Sequence, residues 1–303
     1  MESKDFKKPV SRLRAVKPTK AIPARPKILI FGKAGVGKTW NAIDFPSVYY
    51  IDSEGGSNLH QYTEKLNAAG GMYLGPEQGA SDFKEVIEQV KALSTENHNF
   101  KTLIIDSLSK LFNNEIALEV ERMENKGIID SFGASRKPAI KLTRQLVNWI
   151  DRLDMNVIII CHEKALWAGE KQVGVTFDAW DKLEYELNLC LNIVKNGGSR
   201  IARVTKSRFD QFSEKDNFIW SFGEFSKIFG ESTLTAPPIA EKIASDEQVL
   251  RFKSLIDLLK IEEDQVLKWL EKSKSEKIEE MSEVNILKCI EHLEKKLSQP
   301  VGA

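Results

Sequence analysis

The residues from Gly32 to Thr39 form a complete phosphate-binding loop of the pattern G-x-x-x-x-G-K-[ST]. An apolar run before the loop predicts a buried strand, and the residues after it predict a helix. Glycines let backbone N–H groups approach phosphates, and the helix N-terminus adds unpaired donors. Lys38 can reach the β- and γ-phosphates, and the Thr39 hydroxyl can hold Mg²⁺. The predicted nucleotide-binding residues are Gly32, Lys33, Ala34, Gly35, Val36, Gly37, Lys38, Thr39 and Trp40.

Two carboxylates are candidates for metal binding and for water activation. Asp106 follows an apolar run, the position of a Walker B acid, which orients Mg²⁺ or its waters. In many ATPases the base that activates water directly follows that acid, but here the position holds Ser107. Glu54, after the strand-like run 48–51, is therefore the predicted catalytic base, and an exposed loop residue is the alternative. Thr39 and Asp106 are the predicted metal ligands.

Strands that alternate with helices must position these groups. Four short apolar runs predict buried strands: residues 28–31, 48–51, 103–105 and 157–160. Together with helical periodicity between them, they predict an α/β fold with a mostly parallel central sheet flanked by helices. Ligands of such sheets lie beyond the carboxyl ends of the strands, so Glu54, Asp106 and His162 should meet the phosphate loop at one edge.

Two further patterns extend or interrupt this core. Residues 187–194 and 201–205 flank Asn196-Gly197-Gly198-Ser199, a hairpin signal that predicts an antiparallel end of the sheet. Residues 218–220 predict one more strand. Residues 111–137 are polar, and their pattern predicts irregular structure.

Composition divides the chain into four predicted segments. Residues 1–26 are rich in lysine, arginine and proline, which predicts an extended basic arm or, alternatively, a solvated tail. Residues 27–235 form the α/β core, and residues 236–244, with two prolines, form a linker. Residues 245–298 predict a small bundle of three helices, and a capping box between Ser245 and Gln248 opens the first.

The overall composition excludes few functions. The 303 residues carry a formal net charge of zero, so global charge does not indicate whether nucleic acid is bound. Three scattered cysteines are typical of reduced core thiols in a cytosolic protein. No apolar stretch is long enough to cross a membrane, so no membrane partner is expected. No adenine-reading motif is apparent, so these residues do not distinguish ATP from GTP.

At these residues the sequence resembles the RecA-like recombinase ATPases, in particular the small phage single-strand-annealing ATPases. The resemblance covers roughly residues 27–225 and depends on the phosphate loop and on Glu54 in the context Tyr50-Ile51-Asp52-Ser53-Glu54. It implies a RecA-like core that uses ATP and Mg²⁺ and is cytoplasmic, in the host cell if the protein is phage-encoded. The small C-terminal helical bundle lies outside the resemblance.

The resemblance also implies three further catalytic residues. His162 matches a polar sensor of the γ-phosphate, although a core histidine bonded to the backbone is the alternative. Lys206 and Arg208, in Val204-Thr205-Lys206-Ser207-Arg208, match two basic residues that reach a neighbouring subunit's nucleotide. An edge-strand charge pattern that discourages aggregation is equally open for these two.

Two segments would face the axis of a RecA-like ring or filament. One lies within residues 111–137 and ends at two cations, and the other is the predicted loop 164–171, which combines lysines with a tryptophan. Single-strand binding uses cations for phosphates and aromatic rings for base stacking. The predicted DNA-binding residues are Arg136, Lys137, Lys164, Trp167 and Lys171. A buried anchor remains the alternative for Trp167.

Three functions stay open at this stage. The first is a DNA-stimulated ATPase that assembles with copies of itself on single-stranded DNA and promotes annealing or strand exchange. The second is a helicase-like motor or helicase-loading ATPase. The third is a nucleotide-controlled assembly switch without turnover, which Glu54 argues against. A single-strand-binding protein is a further candidate partner of the first.

Overall fold

The computed structural model describes residues 25–56 and 60–298. Within these residues, nine strands form one sheet system. They are β1 (Lys27–Gly32), β2 (Val48–Asp52), β3 (Met72–Leu74), β4 (Thr102–Asp106), β5 (Asn156–Ala168), β6 (Lys171–Phe177), β7 (Leu189–Asn196), β8 (Ser199–Ser207) and β9 (Asn217–Ile219). The spatial order is β3-β2-β4-β5-β1-β7-β8-β9, and β6 pairs with β5.

The sheet is mostly parallel, as predicted. All neighbours from β3 to β7 in this order are parallel, whereas β6, β8 and β9 pair antiparallel with their partners. The predicted hairpin around Asn196-Gly197-Gly198-Ser199 is confirmed as the β7–β8 connection. Strand β5 lies between β4 and β1, so the strand that carries Asp106 is two strands away from the strand that leads into the phosphate loop.

Helices cover both faces of the sheet. In chain order they are α1 (Lys38–Ala42), α2 (His60–Ala68), α3 (Phe83–Thr95), α4 (Leu108–Asn125), α5 (Arg136–Arg152), α6 (Leu183–Glu186), α7 (Phe222–Phe229), α8 (Glu231–Thr235), α9 (Asp246–Leu258), α10 (Glu263–Lys272) and α11 (Glu283–Ser298). Short 3₁₀ turns lie at Pro76–Gln78 and Ile278–Glu280.

Two apolar cores sandwich the central strands. Along β1, Leu29 and Phe31 belong to the core under α3, α4 and α5, whereas Ile28 and Ile30 belong to the core under α1 and α7. Successive side chains of a strand point to opposite faces, so a strand buried on both faces must be apolar at every position. This explains why continuous apolar runs identified the central strands, and the predicted α/β fold is confirmed.

The prediction of irregular structure over residues 111–137 is wrong. Helix α4 continues to Asn125, and only residues 126–135 lie between it and α5. The first turns of α4 are buried, but of its last thirteen residues only Met123 is. A helix that is largely exposed lacks a wide apolar stripe, which is why its periodicity was not visible in the sequence.

The predicted loop 164–171 is a β-hairpin instead. Strand β5 does not end near Ile160 but continues to Ala168, pairs with β6, and leaves only Gly169 and Glu170 in the turn. The extension, residues 162–168, has three polar residues followed by four apolar ones, and none of the seven is buried. The buried run that identified the strand therefore ends before the strand does.

The ends of the core are held together by a buried arginine. Arg25, assigned to the basic arm, is buried, and its guanidinium donates hydrogen bonds to the carbonyl oxygens of Thr233 (2.9 Å), Ala236 (2.8 Å) and Pro237 (3.0 Å). The packed chain therefore begins before residue 27, and the linker starts against the core. The rest of the predicted arm, residues 1–24, lies outside the described residues.

The C-terminal segment contains the three helices that were predicted there. The backbone N–H of Gln248 donates to the hydroxyl of Ser245, and the Gln248 side chain accepts from the backbone of Ser245, so the capping box is confirmed. Its small core includes Phe252, Leu255 and Leu293. In the described part of the chain no helix is both long and apolar enough to cross a membrane.

Candidate nucleotide site

The phosphate loop packs tightly against its neighbours. A Cβ on Gly32 would lie 2.3 Å from the carbonyl oxygen of Ile193 in β7, so a larger residue would push the loop away from the sheet. Gly37, directly before α1, has φ of +88°, a left-handed conformation that glycine adopts without strain. Val36 is buried in the core, so only its backbone can serve the site.

Lys38 lies over the loop that precedes it. Its Nζ donates hydrogen bonds to the carbonyl oxygens of Gly32 (2.8 Å) and Lys33 (3.0 Å). Burial lowers the pKa of Lys38, although the carboxylates of Asp106 and Glu54 oppose this effect. Both direct partners are neutral carbonyl oxygens, so they do not cancel the charge of the ammonium group. That charge is available to pair with an anion, as a phosphate-binding lysine requires.

The two predicted metal ligands touch each other. The hydroxyl of Thr39 donates to Oδ2 of Asp106 at 2.5 Å, and the hydroxyl of Tyr50 donates to the same oxygen at 3.2 Å. Burial raises the pKa of Asp106 to about 6, so this carboxylate lacks full compensation for its charge. A hydroxyl and an undercompensated carboxylate are oxygen ligands of the kind that Mg²⁺ takes, so the residues present fit this ion.

The metal would need oxygens from elsewhere. Among the described residues, no group of three or more His, Cys, Asp or Glu side chains could hold a metal ion. Mg²⁺ in phosphate-transfer sites is commonly bound by one or two protein oxygens together with substrate phosphates and water. The pair Thr39 and Asp106 has this composition, and it depends on a bound phosphate to complete the coordination.

Glu54 is held by two side chains, one on β5 and one directly after β4. Its Oε1 lies 2.5 Å from Nε2 of His162 and accepts a hydrogen bond of 2.5 Å from the hydroxyl of Ser107. The contact with His162 lowers the pKa of Glu54 to about 2, and Glu54 in turn raises the pKa of His162. The His162 side chain is 49% exposed, so it is not a core histidine. Glu54 therefore stays ionised at neutral pH.

A turn after β2 aims Glu54 into the cleft. Oδ1 of Asp52 accepts hydrogen bonds from the backbone N–H groups of Glu54 (3.0 Å) and Gly55 (2.9 Å), and its Oδ2 accepts one from the hydroxyl of Tyr73 (3.1 Å). An aspartate that bonds the backbone two residues ahead fixes a tight turn. This role of Asp52 was not predicted from the sequence, although an aspartate two positions before the base is its local signal.

Most of the residues predicted to bind nucleotide or metal or to activate water line one cleft of about 770 Å³. Strand register brings them together, because Gly32 pairs with His162 and Asp52 pairs with Asp106. The described lining includes Gly32, Lys33, Ala34, Gly35, Lys38, Thr39, Asp52, Glu54, Asp106, His162 and Glu163. Trp40, 40% exposed, lies beside the cleft against Tyr62, with ring centroids 5.4 Å apart.

Lys206 and Arg208 lie away from this cleft. Lys206 lies opposite Cys190 at the start of β7, and Cys190 lies opposite Leu29 of β1. This position is nearer the amino end of β1, whereas the phosphate loop follows the carboxyl end of that strand. The two side chains donate to the carbonyl oxygens of Leu187 and Tyr185. Burial lowers the pKa of Lys206. Neither residue can reach a phosphate bound by its own chain.

The predicted DNA-binding residues occupy two separate places. Arg136 and Lys137 begin α5, and the Arg136 guanidinium lies 5.4 Å from the ring centroid of Phe112. Lys164, Trp167 and Lys171 lie on the β5–β6 hairpin.

The hairpin residues differ in how far they are available to a ligand. Trp167 is 58% exposed, so the buried-anchor alternative is wrong. Lys164 is already paired with Asp181 at 3.1 Å and lies 3.8 Å from Asp178. Lys171 is exposed next to the turn. The tryptophan and the turn lysine are therefore the accessible members of this group.

Three residues that support the loop were not foreseen from the sequence. Nε1 of the buried Trp220 donates to the carbonyl oxygen of Lys38 at 3.4 Å, and the Asn41 amide donates to the Trp220 carbonyl at 2.5 Å. The Arg200 side chain lies directly against Gly37. These contacts join residues far apart in the chain, so no local pattern could have indicated them.

The model of a family described as AAA domain matches residues 24–219 of this chain. The chain belongs to this family. The match contains the phosphate loop, Glu54, Asp106 and His162, and it ends before the C-terminal helices. The family match and the mostly parallel sheet confirm the predicted α/β nucleotide-binding fold, whereas the likeness to recombinase and phage annealing ATPases stays a prediction.

Two other comparisons do not identify a function. A comparison with curated proteins gives no match. A solved structure titled "Crystal structure of the RadB recombinase" is similar at 18% identity, with 64% of this chain and 86% of that chain covered and a TM-score of 0.41. Similarity at this level says nothing about the activity or the partners of this AAA-domain protein.

Proposed function

We propose that this protein is a Mg²⁺-dependent ATPase that binds single-stranded DNA and promotes recombination or annealing as an assembly of several copies. The observation that carries the proposal is the convergence of Lys38, the Thr39–Asp106 pair and Glu54 in one cleft. Phosphate binding, metal binding and water activation are the three tasks of triphosphate hydrolysis, and each has a residue of suitable chemistry there.

The proposed hydrolysis follows from these positions. Lys38 and the loop N–H groups would hold the β- and γ-phosphates. Thr39 and Asp106 would hold Mg²⁺, and the ion would supply charge neutralisation to the same phosphates. Glu54 positions a water and accepts its proton. For this the carboxylate must exchange its hydrogen bond from His162 for one from the water, and His162 is then free to contact the γ-phosphate.

DNA binding is proposed at the β5–β6 hairpin. Trp167 exposes a ring that can stack on a base, and Lys171 next to the turn can contact a phosphate. Arg136 and Lys137 would contribute phosphate contacts, and the residues before them expose Phe132. Because aromatic stacking tolerates every base, this surface supports binding without sequence preference.

Assembly is proposed because Lys206 and Arg208 lie near the opposite edge of the sheet from the phosphate loop. Any role of these cations in hydrolysis therefore requires the nucleotide of another copy. A cytoplasmic location and interaction with a single-strand-binding protein belong to the same proposal.

A nucleotide-controlled switch without significant turnover is the second candidate. The close contact between Glu54 and His162 favours it, because a carboxylate with a pKa of about 2 is a weak general base. The two candidates differ in one step, the release of Glu54 from His162, which DNA or a neighbouring copy would have to promote.

The test measures phosphate release by the full-length protein with ATP and Mg²⁺, with and without a single-stranded oligonucleotide. The proposal expects hydrolysis that the oligonucleotide stimulates, and electron microscopy of the same mixture should show filaments or rings. Replacing Trp167 by alanine should remove the stimulation and leave the basal rate. ATP binding and assembly without phosphate release would favour the switch, and the absence of nucleotide binding would overturn both.

A further inference from the structure

The outer side of the phosphate loop is covered by an arginine that no part of the proposed mechanism uses. A Cβ on Gly37 would lie 3.0 Å from Nε and 3.1 Å from Cγ of Arg200, the second residue of β8. On the paired strand, Lys195 lies directly opposite Arg200. Ala202, two residues further on, is buried in the same core as Val36, so the even-numbered face of β8 points towards the loop and α1.

Neither cation has an acidic partner in the part of the chain that the structure describes. The guanidinium of Arg200 donates a hydrogen bond of 2.8 Å to the carbonyl oxygen of Gly198 within its own turn. No carboxylate of the described residues forms an ion pair with Arg200 or Lys195. Cations that are not engaged in ion pairs keep their donor groups available to a ligand that the adjacent phosphate loop holds.

The strand order indicates which end of a nucleotide would meet Arg200. Glu54 follows β2, Asp106 is the last residue of β4, and His162 lies on β5. All three strands are on one side of β1. Arg200 lies on β8, two strands away on the other side of β1. The phosphate that water attacks must lie near Glu54, so the remainder of the nucleotide has to extend across the loop towards β7 and β8.

We propose that Arg200, supported by Lys195, binds the nucleoside half of the nucleotide at the outer side of Gly37. The planar guanidinium can stack on the base or donate to ribose hydroxyls, and its aliphatic stem packs on the glycine that leaves room for it. The inference rests on the proposed nucleotide site and adds a binding residue to it. Arg200 thereby acts on affinity, whereas Glu54 acts on the chemical step.

The test compares ATP and inorganic tripolyphosphate, which lacks a nucleoside, as ligands of the full-length protein in calorimetric titrations with Mg²⁺. Arg200→Met keeps the aliphatic stem against Gly37 and removes the guanidinium. It should weaken ATP binding about tenfold, the effect of losing a hydrogen bond from a charged group, and change tripolyphosphate binding less than twofold. The KM for ATP should rise by a similar factor, because the lost contact is made equally in ground and transition states.

Arg203→Ala is the matched control, because Arg203 is exposed on the same strand and its odd position faces away from the loop. It should bind both ligands like the wild type. Equal losses for ATP and tripolyphosphate would overturn the nucleoside contact, as would unchanged ATP affinity of Arg200→Met. A large loss of kcat alone would assign Arg200 to catalysis instead. If the wild type binds neither ligand, the proposed function itself fails.

Discussion

Replacing Asp106 by asparagine should make the nucleotide-free protein more stable while weakening its use of Mg²⁺. Both hydrogen bonds to Oδ2 come from hydroxyl donors, those of Thr39 and Tyr50. The asparagine carbonyl oxygen can accept the same two bonds in nearly the same volume. The change therefore removes the charge of Asp106 and little else.

The size of the gain follows from the pKa of Asp106. Burial raises this pKa from its ordinary 3.8 to about 6, so ionising the carboxylate in the folded protein opposes folding. A rise of about two units at about 1.4 kcal/mol per unit gives an upper value of roughly 3 kcal/mol at pH 7, and we expect a gain of roughly 1–3 kcal/mol.

The sign of the pH dependence is also fixed. A carboxylate whose pKa is raised on folding lowers stability fully above the folded pKa of about 6. Its effect shrinks as the pH falls towards the unfolded value and is absent below about pH 3.8, where both states are protonated. The advantage of Asp106→Asn over the wild type should thus be largest at pH 7 and vanish in acid.

Urea unfolding of wild type and Asp106→Asn at pH 7 and pH 4, without nucleotide, measures this difference. Asp210→Asn, which neutralises an exposed carboxylate, is the control and should change stability little. A parallel titration with a fluorescent ATP analogue should show binding that depends less on Mg²⁺ in Asp106→Asn. If this variant is less stable than the wild type at pH 7, the charge of Asp106 is compensated in the folded protein and the metal-site argument loses its basis.

Three other outcomes are expected. Lys38→Ala should abolish nucleotide binding without changing the circular dichroism spectrum, since it removes the phosphate-directed cation of the loop, and unchanged affinity would displace the site. Trp167→Ala should weaken single-strand binding by about 1–3 kcal/mol in fluorescence anisotropy if a base stacks on the ring, and Leu250→Ala, which alters an exposed residue in the C-terminal bundle, should not. Lys206→Glu should slow hydrolysis but leave nucleotide binding intact. Mixing it with Glu54→Gln should restore activity, because a hybrid interface can combine the intact half of each variant. If verified mixed assemblies show no recovery, the result would count against a shared site.

The positions of the nucleotide site could be predicted because the relevant signals are local. The phosphate loop has a defined spacing, and strands buried on both faces are continuous apolar runs. Once the sheet is parallel, the carboxyl ends of β1, β2, β4 and β5 must share an edge. The register of the structure, with Gly32 opposite His162, agrees with this expectation. The roles of the residues at that edge remain predictions.

The supporting contacts could not be predicted because they join distant parts of the chain. Tyr73 reaches Asp52 from β3, and Arg200 reaches Gly37 from a strand more than 160 residues later. Helix α4 and the hairpin were misjudged for a different reason. Their residues are mostly exposed, so packing does not impose an apolar pattern on them.

The central claim is that Glu54 activates water in this cleft, and Glu163 provides the closest internal comparison. Glu163 also lines the cleft, where its carboxylate lies 3.4 Å from the side-chain amide of Asn192. Steady-state phosphate release at saturating ATP and Mg²⁺ should therefore be measured for Glu54→Gln and Glu163→Gln, with nucleotide binding verified in both. If Glu54 is the base, the rate should fall roughly a hundredfold or more for Glu54→Gln and stay within about threefold of wild type for Glu163→Gln. Wild-type turnover by Glu54→Gln, or the large loss in Glu163→Gln instead, would contradict it.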